Sequence, residues 1–279
     1  MKKQLWGFAA GAVLAAMIAV PASAHRQWMM PSSTVLSGDD VWVTVDAAVS
    51  NDLFYFEHQP MRLDALKAWA PDGSEAVIEN KATGRYRSTF DVHLTQKGTW
   101  RIASVVDGVM GSYDLNGKTE RLPRGTTTAN LAEKIPAGAT NVRTAESNNR
   151  NEIFVTVGEP TTTLFTPTGK GIELVPVTHP NDLIAGEAAT FQFLLDGKPT
   201  ADLPVTVIPG GIRYRDQLGQ IDTRTDAEGK VEIIWPEAGM YWVNVTTPRA
   251  EGESEGPPPA DAPPTRRASY VTTLEVLAP

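Results

Sequence analysis

The chain has 279 residues, 41% of them hydrophobic and 21% charged, with 33 acidic against 25 basic side chains, a formal charge of −8, and no cysteine. Acidity without a basic run disfavours nucleic acid and anionic lipid as partners, while a modest negative field suits cations. The lack of cysteine excludes thiol nucleophiles and disulfide scaffolds, so stability has to come from packed cores.

Lys2 and Lys3 lead into an alanine-rich apolar stretch, Leu5 to Val20, and Pro21-Ala22-Ser23-Ala24 closes it with a small-x-small pattern. Residues 1–24 therefore read as a secretory signal peptide cleaved after Ala24. The apolar run of about 16 residues falls short of the roughly 20 that span a bilayer, so no membrane insertion is expected after cleavage. Cleavage makes His25 the first residue and removes two lysines, deepening the acidic excess by two. Export of a cysteine-free chain points to the bacterial periplasm.

With 21 Pro and 23 Gly and short β-rich runs between turn signals, the mature chain reads as all-β, in two β-sandwich domains. Val41 to Val45 is the first candidate strand and Leu53-Phe54-Tyr55-Phe56 the next apolar run. Pro71-Asp72-Gly73 is a turn, because proline fixes φ and glycine accepts positive φ. From Tyr86 to Leu94 the pattern alternates, with Tyr86, Phe90, Val92 and Leu94 on the core face and Arg87, Thr89, Asp91 and His93 on the other. Gln96-Lys97-Gly98 then leads into Trp100 to Val105, which predicts an antiparallel hairpin. Ala129 to Ile135 is a possible short helix stopped by Pro136, and Ile153 to Val157 returns to strand.

Gly158-Glu159-Pro160 marks the boundary between an N-terminal sandwich, 25–159, and a second domain, 160–279. In the second, Gly186 to Leu195 alternates, Asp196-Gly197-Lys198-Pro199 turns, and Val205 to Ile208 is a strand. Thr225 to Lys230 reads as a hairpin tip before Val231 to Trp235. Tyr241 and Val243 should face opposite to Trp242 and Asn244, as in an immunoglobulin-like sandwich. A proline-rich loop, 251–265, precedes a last strand from Ser269 to Leu277.

Metal or acid–base chemistry must draw on carboxylates or on four histidines, His25, His58, His93 and His179. No phosphate-gripping glycine loop, G-x-S-x-G elbow or H-E-x-x-H pair is present, which argues for binding over catalysis. A processed His25 offers its α-amine and a ring nitrogen as one chelate, a donor set suited to Cu(II), Ni(II) and similar ions. Both nitrogens must shed protons, so affinity should rise with pH. His93 and Asp91 share one strand face and are candidate ligand and carboxylate partner, against the plainer alternative of a solvent-facing polar stripe. His58 is the next candidate ligand, with a half-buried structural role as its alternative. His179 lies in a turn, where hydrogen bonding to its own loop is the simpler role. Met29 and Met30 fit packing better than soft ligation.

The mature start His25-Arg26-Gln27-Trp28-Met29-Met30-Pro31, the run Val45 to His58, the strand Tyr86 to Leu94 and the segment Leu174 to Leu183 resemble a family of exported bacterial proteins of unknown function. It is filed under nickel uptake and was formerly confused with the transporter subunit NikM. The resemblance covers essentially all of the mature chain, and members have a histidine just after the cleavage site, which His25 matches. It implies a non-enzymatic periplasmic protein that binds nickel or cobalt and hands it to an inner- or outer-membrane importer, and the residues themselves offer His25, His93, His58 and Asp91 as ligands. Copper is the alternative cargo, since copper carriers of the CopC type and copper monooxygenases share a processed histidine on a β-sandwich. A metal-free adhesion or scaffold module is the third reading, because the later half is similar to carboxypeptidase-regulatory-type and bacterial immunoglobulin-type modules.

Overall fold

The computed structural model describes residues 25–248 and 265–279. The expected signal peptide, 1–24, and residues 251–264 of the expected proline-rich loop lie outside the described residues.

The N-terminal half is a sandwich. One sheet runs Arg26–Pro31, Val41–Ser50, Ser88–Leu94, Glu79–Thr83, and short Gln59–Pro60 also pairs with Val41–Ser50. Val41–Ser50 keeps alternate residues buried because Val43, Val45 and Ala47 all face the core, as the period of two requires. The facing sheet runs Thr140–Val157, Gly98–Leu115, Leu66–Trp69, Glu75–Ala76, with Val35–Leu36 lying parallel to the end of Thr140–Val157. Phe90, Val92, Trp100, Ile102, Ile153 and Val155 fill the space between. Each such fully buried side chain contributes about 1.5–3 kcal/mol.

The second half repeats this plan. Ile172–Pro176, Ala188–Leu195 and Lys230–Ile234 pack over Ile221–Arg224, Pro204–Pro209, Gly239–Thr246 and Thr265–Val276. This strand order is that of an immunoglobulin-like sandwich. Thr265–Val276 also pairs parallel with Thr140–Val157, from Ala145↔Thr265 to Glu152↔Thr272. Two cores therefore share one ten-stranded sheet. Beyond the sandwiches, the far ends of Gly98–Leu115 and Thr140–Val157 join Leu131–Lys134 around a small third core of Val109, Tyr113 and Leu122. A further cluster of Trp28, Ala48 and Leu53 with Ile208 and Trp242 seals the first sandwich against the second.

Two expected hairpins are sandwich crossings instead. Ser88–Leu94 pairs with Val41–Ser50, whereas Gly98–Leu115 pairs with Thr140–Val157 in the opposite sheet. Likewise Ile221–Arg224 and Lys230–Ile234, either side of Thr225 to Lys230, belong to opposite sheets. A hairpin and a crossing carry the same alternation, since both turn their apolar faces to one core. The expected apolar run Leu53 to Phe56 is a loop, with Phe54 at φ 64°. Tyr86 is exposed and precedes the strand it was expected to open.

Candidate metal centre

His25 directly precedes Arg26–Pro31, whose first residue pairs with Ser50. His58 directly precedes Gln59–Pro60, which pairs with Ala48 and Val49 on the opposite edge of the same central strand. The two histidines thus flank the end of Val41–Ser50, and their imidazoles meet beyond it. Their ring centroids are 3.7 Å apart and their planes differ by 7°. Both residues are exposed, and among the described residues neither ring makes a hydrogen bond or ion pair.

The loop between them is tightly built. The Glu57 Oε1 accepts N–H bonds from Asn51 at 2.8 Å and Asp52 at 2.9 Å, closing the loop on itself just before His58. Arg26 donates to the Asn51 carbonyl at 2.8 Å. Burial lowers the Arg26 pKa from its ordinary value, with Asp52 opposing. Phe54 and Phe56 both rest on the Trp28 indole, at 5.4 and 5.6 Å, and the Trp28 Nε1 donates to Ser50 Oγ at 2.8 Å. Tyr55 points the other way, toward Tyr214 of the second sandwich, and their hydroxyl contact raises the Tyr55 pKa.

His93 and Asp91 are elsewhere. The antiparallel register sets His93 opposite Trp42, eight residues along the central strand from Ser50. At about 3.3 Å per strand residue that is roughly 26 Å from the His25–His58 end. His93 stacks on Trp42 with centroids at 4.3 Å, and its Nε2 lies 2.9 Å from Asp40 Oδ1. Asp91 accepts from Thr44 Oγ1 and from Asn80 Nδ2, each at 2.7 Å, so both its oxygens are tied to neighbouring strands. The four candidates therefore do not form one site. Two form a pair, and two belong to a polar stripe at the far end of the sheet. Among the described residues no group of three or more His, Cys, Asp or Glu side chains is placed to hold a metal ion.

His179 joins the two halves. Its Nδ1 accepts from the Asn181 N–H at 3.1 Å, which leaves Nε2 as the donor toward the Thr161 carbonyl at 3.3 Å and Thr99 Oγ1 at 3.0 Å. Burial lowers its pKa, so the neutral ring is the one this setting favours. Met29 is buried in the first core and Met30 packs at the seam between the sandwiches, so both methionines serve packing. A cleft of about 300 Å³ near the third core is lined by Asp107, Glu146, Asn148, Lys170 and Arg266. Its charges are answered locally, Lys170 by Asp107 at 3.6 Å and Arg266 by Asp196.

The donor chemistry of the His25–His58 pair fits a borderline divalent metal. Two imidazoles lie in contact at the surface, and a free amine on His25 would bring a third neutral nitrogen. Parallel planes aim their in-plane lone pairs side by side, so shared ligation needs one ring to turn about its side-chain torsions. Among the described residues no hydrogen bond to either ring opposes that turn. Residue-by-residue reading missed Arg26, Phe54 and Glu57, the residues that hold the loop. The available signal was Glu57 itself, a carboxylate five and six residues after two backbone N–H groups of a tight loop.

The fold and this nitrogen pair define an all-β protein of two sandwiches with two surface imidazoles joined at one end. The chain belongs to the family described as a domain of unknown function, DUF4198, whose model matches residues 22–249. That description assigns no metal and no activity. No curated protein matches the chain. Among solved structures it is similar to the D0-D1 domain of intimin at 13% identity, covering 89% of this chain and 97% of that one, with a TM-score of 0.23. It is also similar to a DUF4785 family protein from Legionella pneumophila, at 8% identity over 81% of this chain and 53% of that one, with a TM-score of 0.23. A third is Salmonella alpha-2-macroglobulin reacted with methylamine, at 12% identity over 91% and 15% of the two chains, with a TM-score of 0.24.

Proposed function

We propose that the protein, exported and cleaved after Ala24, is a non-enzymatic periplasmic carrier of a divalent transition metal, nickel or cobalt, which it passes to a membrane importer. The ion is held by the His25 amine and ring together with the His58 ring. The observation that carries this reading is the 3.7 Å contact between His25 and His58, two histidines 33 positions apart in sequence on opposite edges of one strand. His93 and Asp91 are not part of this ligand set, because the register holds them at the other end of the sheet.

Affinity rises with pH, because an amine and imidazoles bind a metal ion only when unprotonated. Copper is the second reading, favoured by the donor set itself, since nitrogen ligands bind Cu(II) more tightly than Ni(II) or Co(II). Calorimetric titration of the processed protein with each of the three ions ranks them. In the same titrations His58→Ala weakens binding by at least about tenfold, the lower end of what loss of even an outer-shell partner costs. His93→Ala leaves it unchanged. Equal losses from both variants, or none from His58→Ala, would overturn the assignment.

A further inference from the structure

We propose that the second sandwich is a positioning element of the His25–His58 pair, acting chiefly through the contact between Gly210 and Phe54. The inference rests on the metal reading for its consequence but not for its geometry. Phe54 sits at the middle of the loop that carries His58 and holds φ at 64°, a conformation that residues with side chains rarely take and that surroundings must impose. One wall of its setting is Trp28, from the same sandwich. The other is Gly210, at the end of Pro204–Pro209 in the second sandwich. A Cβ on Gly210 would come within 2.9 Å of Phe54 Cδ2, 3.2 Å of Cε2 and 3.1 Å of the Met240 carbonyl. Gly210 is not among the glycines with positive φ, so close approach of the Phe54 ring and the Met240 carbonyl, not backbone conformation, is what requires glycine there.

The same face grips the loop and the first strand at further points. The Arg213 guanidinium stacks over the Tyr55 ring at 4.6 Å and lies 3.9 Å from Asp52. The Trp242 Nε1 donates to the Gln27 carbonyl at 3.0 Å, two residues after His25, and Arg26 lies over the Trp242 ring. Both histidines are therefore borne by segments anchored to one surface of the second sandwich. A change on that surface, outside the ligand set itself, shifts one ring relative to the other.

The test uses the full processed chain. Without metal, the imidazole resonances of His25 and His58 are compared in wild type, Gly210→Ala and Trp242→Phe by nitrogen-15 NMR, with His93 and His179 as internal references. The expected result is that Gly210→Ala moves the His58 signals and Trp242→Phe those of His25, while the two references stay in place. With Ni(II), and with Cu(II) read by electron paramagnetic resonance, Gly210→Ala weakens binding about tenfold, the scale of an outer-shell loss, and changes the copper hyperfine pattern. Shortening the ring in Gly210→Ala/Phe54→Leu restores at least half of the lost affinity on a logarithmic scale. Unmoved His25 and His58 resonances in both single variants would overturn the proposal. A wild-type protein that binds neither ion would overturn the metal reading alone, because the resonance shifts test the positioning without it.

Discussion

At the scale of single residues, what a histidine does here follows from what claims its nitrogens. His179 spends both on the backbone and hydroxyls that join the halves, and burial depresses its pKa. The sign of its effect on stability follows. In the unfolded chain the ring takes up a proton near pH 6.5, while the folded ring resists until a lower pH. The unfolded state then binds more protons, so stability falls as pH drops below about 6.5. Thermal unfolding between pH 7.5 and 5.5 should show the melting temperature declining toward acid, and His179→Gln should flatten that decline. An unchanged slope in the variant would mean that other groups set it. His93 is tied to Asp40 and Trp42 through its Nε2 and its ring face, and among the described residues only His25 and His58 leave both ring nitrogens unclaimed. Sequence reading ranks His93 ahead of His58 because alternation along a strand does not show which nitrogens the fold will use.

At the scale of elements, the two sandwiches share a device that sequence reading passed over. The Trp100 Nε1 donates to the Gln96 carbonyl at 2.9 Å, and the Tyr241 hydroxyl donates to the Glu237 carbonyl at 2.7 Å. In each case the aromatic stands near the start of a strand just after the chain crosses between sheets, four residues beyond the carbonyl it holds. Gly98 at φ 121° and Gly239 at φ 144° make the bend in both. The second is the tyrosine corner of immunoglobulin-like folds. The first achieves the same closure with an indole. Gln96-Lys97-Gly98-Thr99-Trp100 and Glu237-Ala238-Gly239-Met240-Tyr241 share this spacing, so the repeat was present in the sequence. It was hidden because the residues shared are a lone glycine and an aromatic of different type. Tyr241→Phe should destabilise the protein by about 1 kcal/mol, the net worth of an ordinary hydrogen bond lost at a part-buried site. Urea unfolding at constant slope measures it. A change within a few tenths of a kcal/mol would show that the corner is not held by that bond.

At the scale of the whole molecule, strand content, turn positions and the two-sandwich plan were legible because they depend on local alternation and on Gly and Pro. Ser88–Leu94 and Tyr241 to Val245 show this best, with Phe90, Val92 and Val243 buried as the pattern requires. Pairing was not legible. Whether a turn folds a strand back beside its neighbour or across to the other sheet depends on partners far along the chain, such as Thr140–Val157 for Gly98–Leu115. The same dependence decided the site. His25, His58 and His93 are all close to one strand in space, but only the register of Val41–Ser50 tells which end each occupies. It brings two together and takes the third, with Asp91, away.

The central claim is that maturation turns His25 into an amine-and-imidazole chelate completed by His58. The measurement that tests it most directly is the Ni(II) affinity of protein beginning at His25, compared with the same protein acetylated on that terminal amine. Acetylation converts the amine to an amide and leaves every side chain in place, so binding should weaken by at least about tenfold and rise less with pH. Equal affinity and an equal pH profile in the two forms would contradict the account.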